Sequence, residues 1–148
     1  MRRLVNIIGL LAALLPQSIR LGLYKTSFAS FIRNYMNRVV PNGLTLVNVA
    51  SGPVKNMKLY LNLKEEKYYW LGTYEPQLIA AIYDLCRPGM IVYDIGANIG
   101  YISLVFARVV GKGRVFAFEP LPANAKNVFE SMFCSTGLRM SSLSKSVR

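Results

Sequence analysis

An α/β fold built on parallel strands is what this sequence of 148 residues predicts. Three observations carry the expectation. Met90-Ile91-Val92-Tyr93-Asp94 and Arg114-Val115-Phe116-Ala117-Phe118 are short runs rich in branched and aromatic residues. The apolar stretch Tyr101 to Val110 lies between them, opened by the glycine turn Ile95–Gly100 and closed by Gly111-Lys112-Gly113. Two strand-length runs joined through a helix-length run form the pattern of buried parallel strands with a right-handed crossover.

The elements follow in chain order. Residues 1–40 read as a basic, apolar, helical leader, with Phe28, Phe31, Ile32 and Tyr35 at helical spacing in Ser27–Val40. Pro41-Asn42-Gly43 is a break. Residues 41–73 read as a β-hairpin or meander, because Leu44–Val49 and Met57–Leu63 alternate about Ser51-Gly52-Pro53. Tyr68-Tyr69-Trp70 reads as packing rather than as a stacking platform for a ligand. Residues 74–133 carry the partial α/β domain. Its first helix opens at Tyr74-Glu75-Pro76 and runs to about Cys86, with Leu78, Ile79, Ile82 and Leu85 as its apolar stripe; Arg87-Pro88-Gly89 stops it. A last helix spans Leu121 to about Phe133, and residues 134–148 read as an irregular Ser-rich tail.

Composition limits the chemistry. Apolar residues make up 53% and charged residues 17%, which excludes a disordered acidic chain. The absence of His excludes a Ser-His-Asp triad, a Cys-His nucleophile pair and a His-based zinc site. Cys86 and Cys134 are too few for a disulfide framework and suit a reducing cytoplasm; Cys86 reads as a small apolar filler. No metal cluster is expected.

Eighteen Lys and Arg against seven Asp and Glu give a net charge of +11, and nine of the basic residues precede the first acid, Glu65. The apolar run Leu4–Leu15 is shorter than the roughly 20 residues of a spanning helix. Three readings of the leader stand side by side. It is a helix packed on the main domain with solvated charges, an interfacial helix giving residues 1–38 peripheral contact with a membrane, or a signal segment. A nucleic acid partner has only bulk charge in its favour.

The turn is the most specific feature. Ligands on open α/β sheets bind beyond the carboxyl ends of the strands, where Asp94 and Glu119 fall. Gly96 and Gly100 let the backbone bend and a ligand approach. A carboxylate at Glu119, offering two acceptor oxygens and no donor, suits two vicinal ribose hydroxyls. The spacing Gly96-Ala97-Asn98-Ile99-Gly100 puts Asn98 where a dinucleotide fingerprint has its second glycine, which argues for a ligand without a pyrophosphate. No Walker lysine follows Gly100. S-adenosylmethionine fits: an adenosine, no phosphate, and an ammonium that Asp94 can attract.

Tyr74-Glu75-Pro76, the stretch Arg87 to Tyr101 with its D-x-G-A-N-x-G turn, and Gly113 to Pro120 ending in F-E-P together resemble the FkbM family of S-adenosylmethionine-dependent methyltransferases. The likeness covers roughly Leu44 to Val128. It implies a Rossmann-like class I methyltransferase fold and O-methylation of a hydroxyl on a sugar or natural product. By the motif match Asp94, Gly96, Asn98 and Gly100 line the methionine end, Glu119 holds the ribose, and Glu75 lies near the site. No catalytic residue is assigned. The acceptor is expected to be a small molecule or glycan hydroxyl.

The competing reading of the same residues is structural: glycines for strand–helix packing, and Asp94 and Glu119 as helix caps. The sequence after about Ser131 no longer looks like the family, and the third and fourth strands of the fold have no counterpart. The expectation is therefore an N-terminal half only, from truncation or a frameshift, with unpaired edges, uncovered apolar faces and little or no activity. Two other functions were weighed: a non-enzymatic membrane-associated fragment and a nicotinamide dinucleotide-binding oxidoreductase fragment.

Overall fold

In the computed structural model, residues 43–136 are described. The leader of 1–40, its three readings and most of the Ser-rich tail lie outside them, as does the side chain of Cys134.

The chain begins with β1 (Leu44–Asn48) and β2 (Lys58–Asn62), paired antiparallel with Leu46 opposite Tyr60. Period-two alternation puts Val47 and Val49 inward from the first strand and Leu59, Leu61 and Leu63 from the second. A one-turn helix that sequence reading missed, α1 (Lys67–Trp70), follows. It buries Trp70, whose Nε1–H donates to the Asn48 carbonyl at 3.1 Å, while the Ala50 amide donates to the Trp70 carbonyl at 2.9 Å. The hairpin is thus tied to the chain that leads into the α/β unit.

Helix α2 (Pro76–Leu85) starts with proline in its first turn, where the missing N–H costs nothing. It is closed by Arg87, whose guanidinium donates to the carbonyls of Asp84 at 2.7 Å and Cys86 at 2.9 Å. Cys86 is the extended cap residue just past the helix, half-buried against the core. Of the expected apolar stripe, Ile82 is buried and Ile79 packs against the core, whereas Leu78 and Leu85 are exposed.

Strand β3 (Ile91–Ile95), helix α3 (Tyr101–Val110) and strand β4 (Arg114–Phe118) form the βαβ unit, with β3 and β4 parallel and Asp94 beside Ala117. Helix α4 (Pro122–Thr136) runs three residues beyond its expected end and packs on β2, joining hairpin and βαβ unit. The architecture is α/β, as the alternation of runs predicts. Leu104 and Val105 of α3, Leu59 and Leu61 of β2 and Val128 of α4 belong to one core.

One expectation about the strands needs correcting. They were read as buried, but Ile91, Tyr93 and Ile95 stand on an open face, with Tyr93 62% and Ile95 76% exposed. The reason is layering: α3 covers one side of the β3–β4 pair, and among the described residues no element covers the other. Among the described residues no helix is long and apolar enough to cross a membrane.

Candidate functional site

The turn between β3 and α3 is held by the end of β4. The amides of Gly96 and Ala97 both donate to the Phe118 carbonyl, at 2.8 and 3.0 Å. The next residue, Glu119, accepts from the Asn98 amide at 2.8 Å through one carboxylate oxygen and from the Leu121 amide at 2.9 Å through the other. Asn124 in the first turn of α4 donates to the Asn98 side-chain oxygen at 3.1 Å. The two strand ends, the turn and the start of α4 therefore form one hydrogen-bonded unit. Part of the structural reading of Glu119 is realised here, since it braces the entry to α4. Each of its oxygens keeps a second lone pair for another donor.

Asp94 stands at the same end of the sheet. It is buried, and the Ser103 hydroxyl from the first turn of α3 donates to its carboxylate at 2.5 Å. Burial raises the Asp94 pKa above the ordinary carboxylate value, and the Ser103 hydrogen bond works against that rise. Asp94 does not cap α3 through a backbone amide: the cap residue is Gly100, and no side chain caps this helix.

Asp94, Gly96 and Asn98 line one pocket of about 200 Å³, and the first turn of α3 opens onto it through Tyr101 and Ile102. The opposite wall is aromatic, made by Tyr69 from α1 and by Tyr74, with Leu78 of α2 beside them. At Gly96 φ is +84°, and a Cβ there would meet no atom within 4 Å. The glycine is needed for its backbone angle, and any side chain would stand in open space beside the pocket. Asn98 takes the left-handed conformation too, at φ 51°. Among the described residues, no three His, Cys, Asp or Glu gather as metal ligands.

The structure places the six sequence-derived site residues differently. Asp94, Gly96 and Asn98 line the pocket, and Glu119 joins them through the Asn98 amide. Gly100 is not among the lining residues; its φ is +85°, and a Cβ there would stand 3.3 Å from a Val128 side-chain carbon. Glu75 is exposed at the cap of α2 and does not line the pocket; its neighbour in the chain, Tyr74, does.

Sequence reading missed Ser103, Tyr69, Tyr74 and Tyr101. Nothing in the sequence marks Ser103 as the partner of an acid nine residues earlier. The tyrosines had a signal: Tyr74 and Tyr101 abut the quoted motifs, and Tyr69 sits in the aromatic cluster taken for packing alone. Tyr69 is in fact buried and faces the pocket at once. Burial raises the Tyr69 pKa, with a smaller contribution from the adjacent Tyr74. Tyr74 is raised by burial, with a smaller contribution from the adjacent Glu75 carboxylate. Tyr101, 1% exposed, is pushed up to about 12 by burial, with a smaller contribution from Tyr83.

Comparison with known proteins gives partial likenesses. No family model matches the chain. A stretch of 61 residues, 41% of this chain, is 38% identical to the AMB antimetabolite synthetase AmbE of Pseudomonas aeruginosa; the match spans 3% of the synthetase. The crystal structure of P. horikoshii TYW2 in complex with MeSAdo superposes with a TM-score of 0.49 at 23% identity, over 72% of this chain and 37% of that one.

Proposed function

We propose that this chain carries the cofactor-binding half of an S-adenosylmethionine-dependent methyltransferase of FkbM type, acting on a hydroxyl of a sugar or natural product. The observation that carries the reading is the placement of Asp94 near the end of β3 and of Glu119 just past the end of its parallel partner β4, with the Asn98 amide of the turn after β3 donating to Glu119. Strand-end carboxylates on either side of a glycine turn suit a ligand with an ammonium at one end and a ribose at the other.

The residues present fit that ligand. Asp94, at the floor of the pocket, attracts the ammonium, and Ser103 fixes the carboxylate's rotamer. The uncapped start of α3 offers amide donors and the positive end of its dipole to the methionine carboxylate. The free lone pairs of Glu119 receive the ribose hydroxyls. The pocket of about 200 Å³ is smaller than the roughly 300–1,000 Å³ that encloses a drug-sized ligand, so it accommodates the methionine end. When bound, the cofactor supplies an electrophilic methyl group; the protein's share is alignment of the acceptor oxygen and exclusion of water.

The stretch that this chain shares with an antimetabolite synthetase accords with a small natural product as acceptor. The chain spans a small fraction of that relative, so acceptor and activity remain part of the proposal. Peripheral membrane contact through residues 1–38 and a cytoplasmic location stay open as proposals for the leader.

Calorimetric titration with S-adenosylhomocysteine tests the reading. Binding is expected, and Glu119→Ala should weaken it by roughly 10- to 100-fold, about the worth of one hydrogen bond to a charged group. Unchanged affinity in that variant removes the ribose assignment. Binding of NAD in preference to S-adenosylhomocysteine would overturn the methyltransferase reading in favour of the oxidoreductase one.

A further inference from the structure

We propose that Tyr69, Tyr74 and Tyr101 form an electron-rich wall that recognises the positive sulfonium of S-adenosylmethionine, so that the pocket holds the charged methyl donor more tightly than its neutral thioether product. The inference rests on the cofactor reading above and adds residues that no sequence motif assigned.

The three rings make a single packed group. Tyr69 and Tyr74 have centroids 4.4 Å apart, Tyr69 and Tyr101 5.2 Å, and Tyr74 and Tyr101 5.9 Å in an edge-on arrangement. All three line the pocket that also holds Asp94, and no Lys or Arg lines it. Aromatic faces beside one carboxylate, with no competing cation, suit a compact positive centre that carries methyl and methylene groups.

The Glu75 carboxylate, next to Tyr74 in the chain, adds to the negative potential. Glu75 reaches this position in the left-handed conformation at φ 35°, immediately before Pro76. A non-glycine residue in that region before proline carries strain, and strain of this kind clusters at ligand sites. The Tyr101 hydroxyl is buried with no hydrogen-bond partner among the described residues, which leaves a polar group of this wall unsatisfied by the protein.

The test compares S-adenosylmethionine with S-adenosylhomocysteine by calorimetry on the full chain at one salt concentration. Wild type should prefer the sulfonium by roughly 2- to 30-fold, the range of one cation–π contact. Tyr74→Leu should bring the ratio close to one by weakening S-adenosylmethionine, with S-adenosylhomocysteine altered less than about twofold. Tyr74→Phe, which keeps the ring, should retain most of the preference. Tyr69→Leu, checked by circular dichroism, serves as a second variant should Tyr74→Leu fail to fold. Equal affinities in wild type, or equal weakening of both ligands by the Leu variants, overturns the proposal and leaves the cofactor reading standing. Failure of wild type to bind either ligand overturns both.

Discussion

At Asp94 the fold places an ionisable group where charge is unwelcome. Burial raises its pKa above the ordinary carboxylate value, and the Ser103 hydrogen bond offsets only part of that rise. The folded protein therefore binds the Asp94 proton more tightly than the unfolded chain does. The resulting stabilisation is fully present below the unfolded value and is lost as pH rises through the folded one. Urea midpoints measured between about pH 4 and about pH 7 should fall for wild type relative to Asp94→Asn, which cannot ionise. A constant offset between the two would mean that Asp94 titrates normally. Ser103→Ala should widen the effect, because it removes the hydroxyl that favours the charged form. At neutral pH it should cost about 1.5–3 kcal/mol, the range for a hydrogen bond to a charged group. Gly96→Ala acts differently. Its Cβ meets nothing within 4 Å, so the expected loss of about 1–2 kcal/mol comes from the left-handed backbone alone. Its effect on S-adenosylhomocysteine affinity reports whether the ligand occupies that open space.

At the scale of elements, Trp70 does for the hairpin what Glu119 does for the turn. One side chain is buried against the core and its indole N–H reaches the Asn48 carbonyl at the end of β1. Trp70→Ala should cost about 3–5 kcal/mol, a large part of the roughly 5–15 kcal/mol that holds a domain together. Thermal denaturation followed by circular dichroism would show it. If the hairpin and the βαβ unit were independent, the melt would split into two steps instead of shifting as one. The elements that were legible in the sequence are those whose signal is local. Alternation around Leu59 and Leu61, proline at the head of α2, and glycine turns on either side of α3 each leave a mark within a few residues. What escaped depends on distance in space. The four residues of α1 are too few for a helical period to register, and they hold because Trp70 meets Asn48 from 22 positions away. Ser103 became part of the site only because the turn folds the start of α3 back over β3. Leu85 and Ile91 looked like core because their sequence neighbours are apolar, yet among the described residues nothing packs over either of them.

Taken whole, the molecule divides its charge and its apolar surface unevenly. Residues 43–136 hold nine Lys and Arg against seven Asp and Glu, so the basic excess belongs almost entirely to 1–42 and 137–148, where no acid occurs. The outer face of β3 and β4 is the complementary feature: Tyr93 stacks on Phe116 at 5.2 Å and on Phe118 at 6.1 Å, beside the exposed Ile91. Parallel strands are ordinarily covered on both faces, so this surface should bind apolar dyes and promote self-association. The two sides of the sheet should answer the same kind of truncation in opposite ways. Leu104→Ala, on the covered side and fully buried, should cost about 2–5 kcal/mol. Ile91→Thr, on the open side, should stay within about 0.5 kcal/mol, and together with Tyr93→Ser it should lower the fluorescence of bound anilinonaphthalene sulfonate. A loss of stability at Ile91 comparable to that at Leu104, with dye binding unchanged, would mean that another part of the chain covers this face in solution.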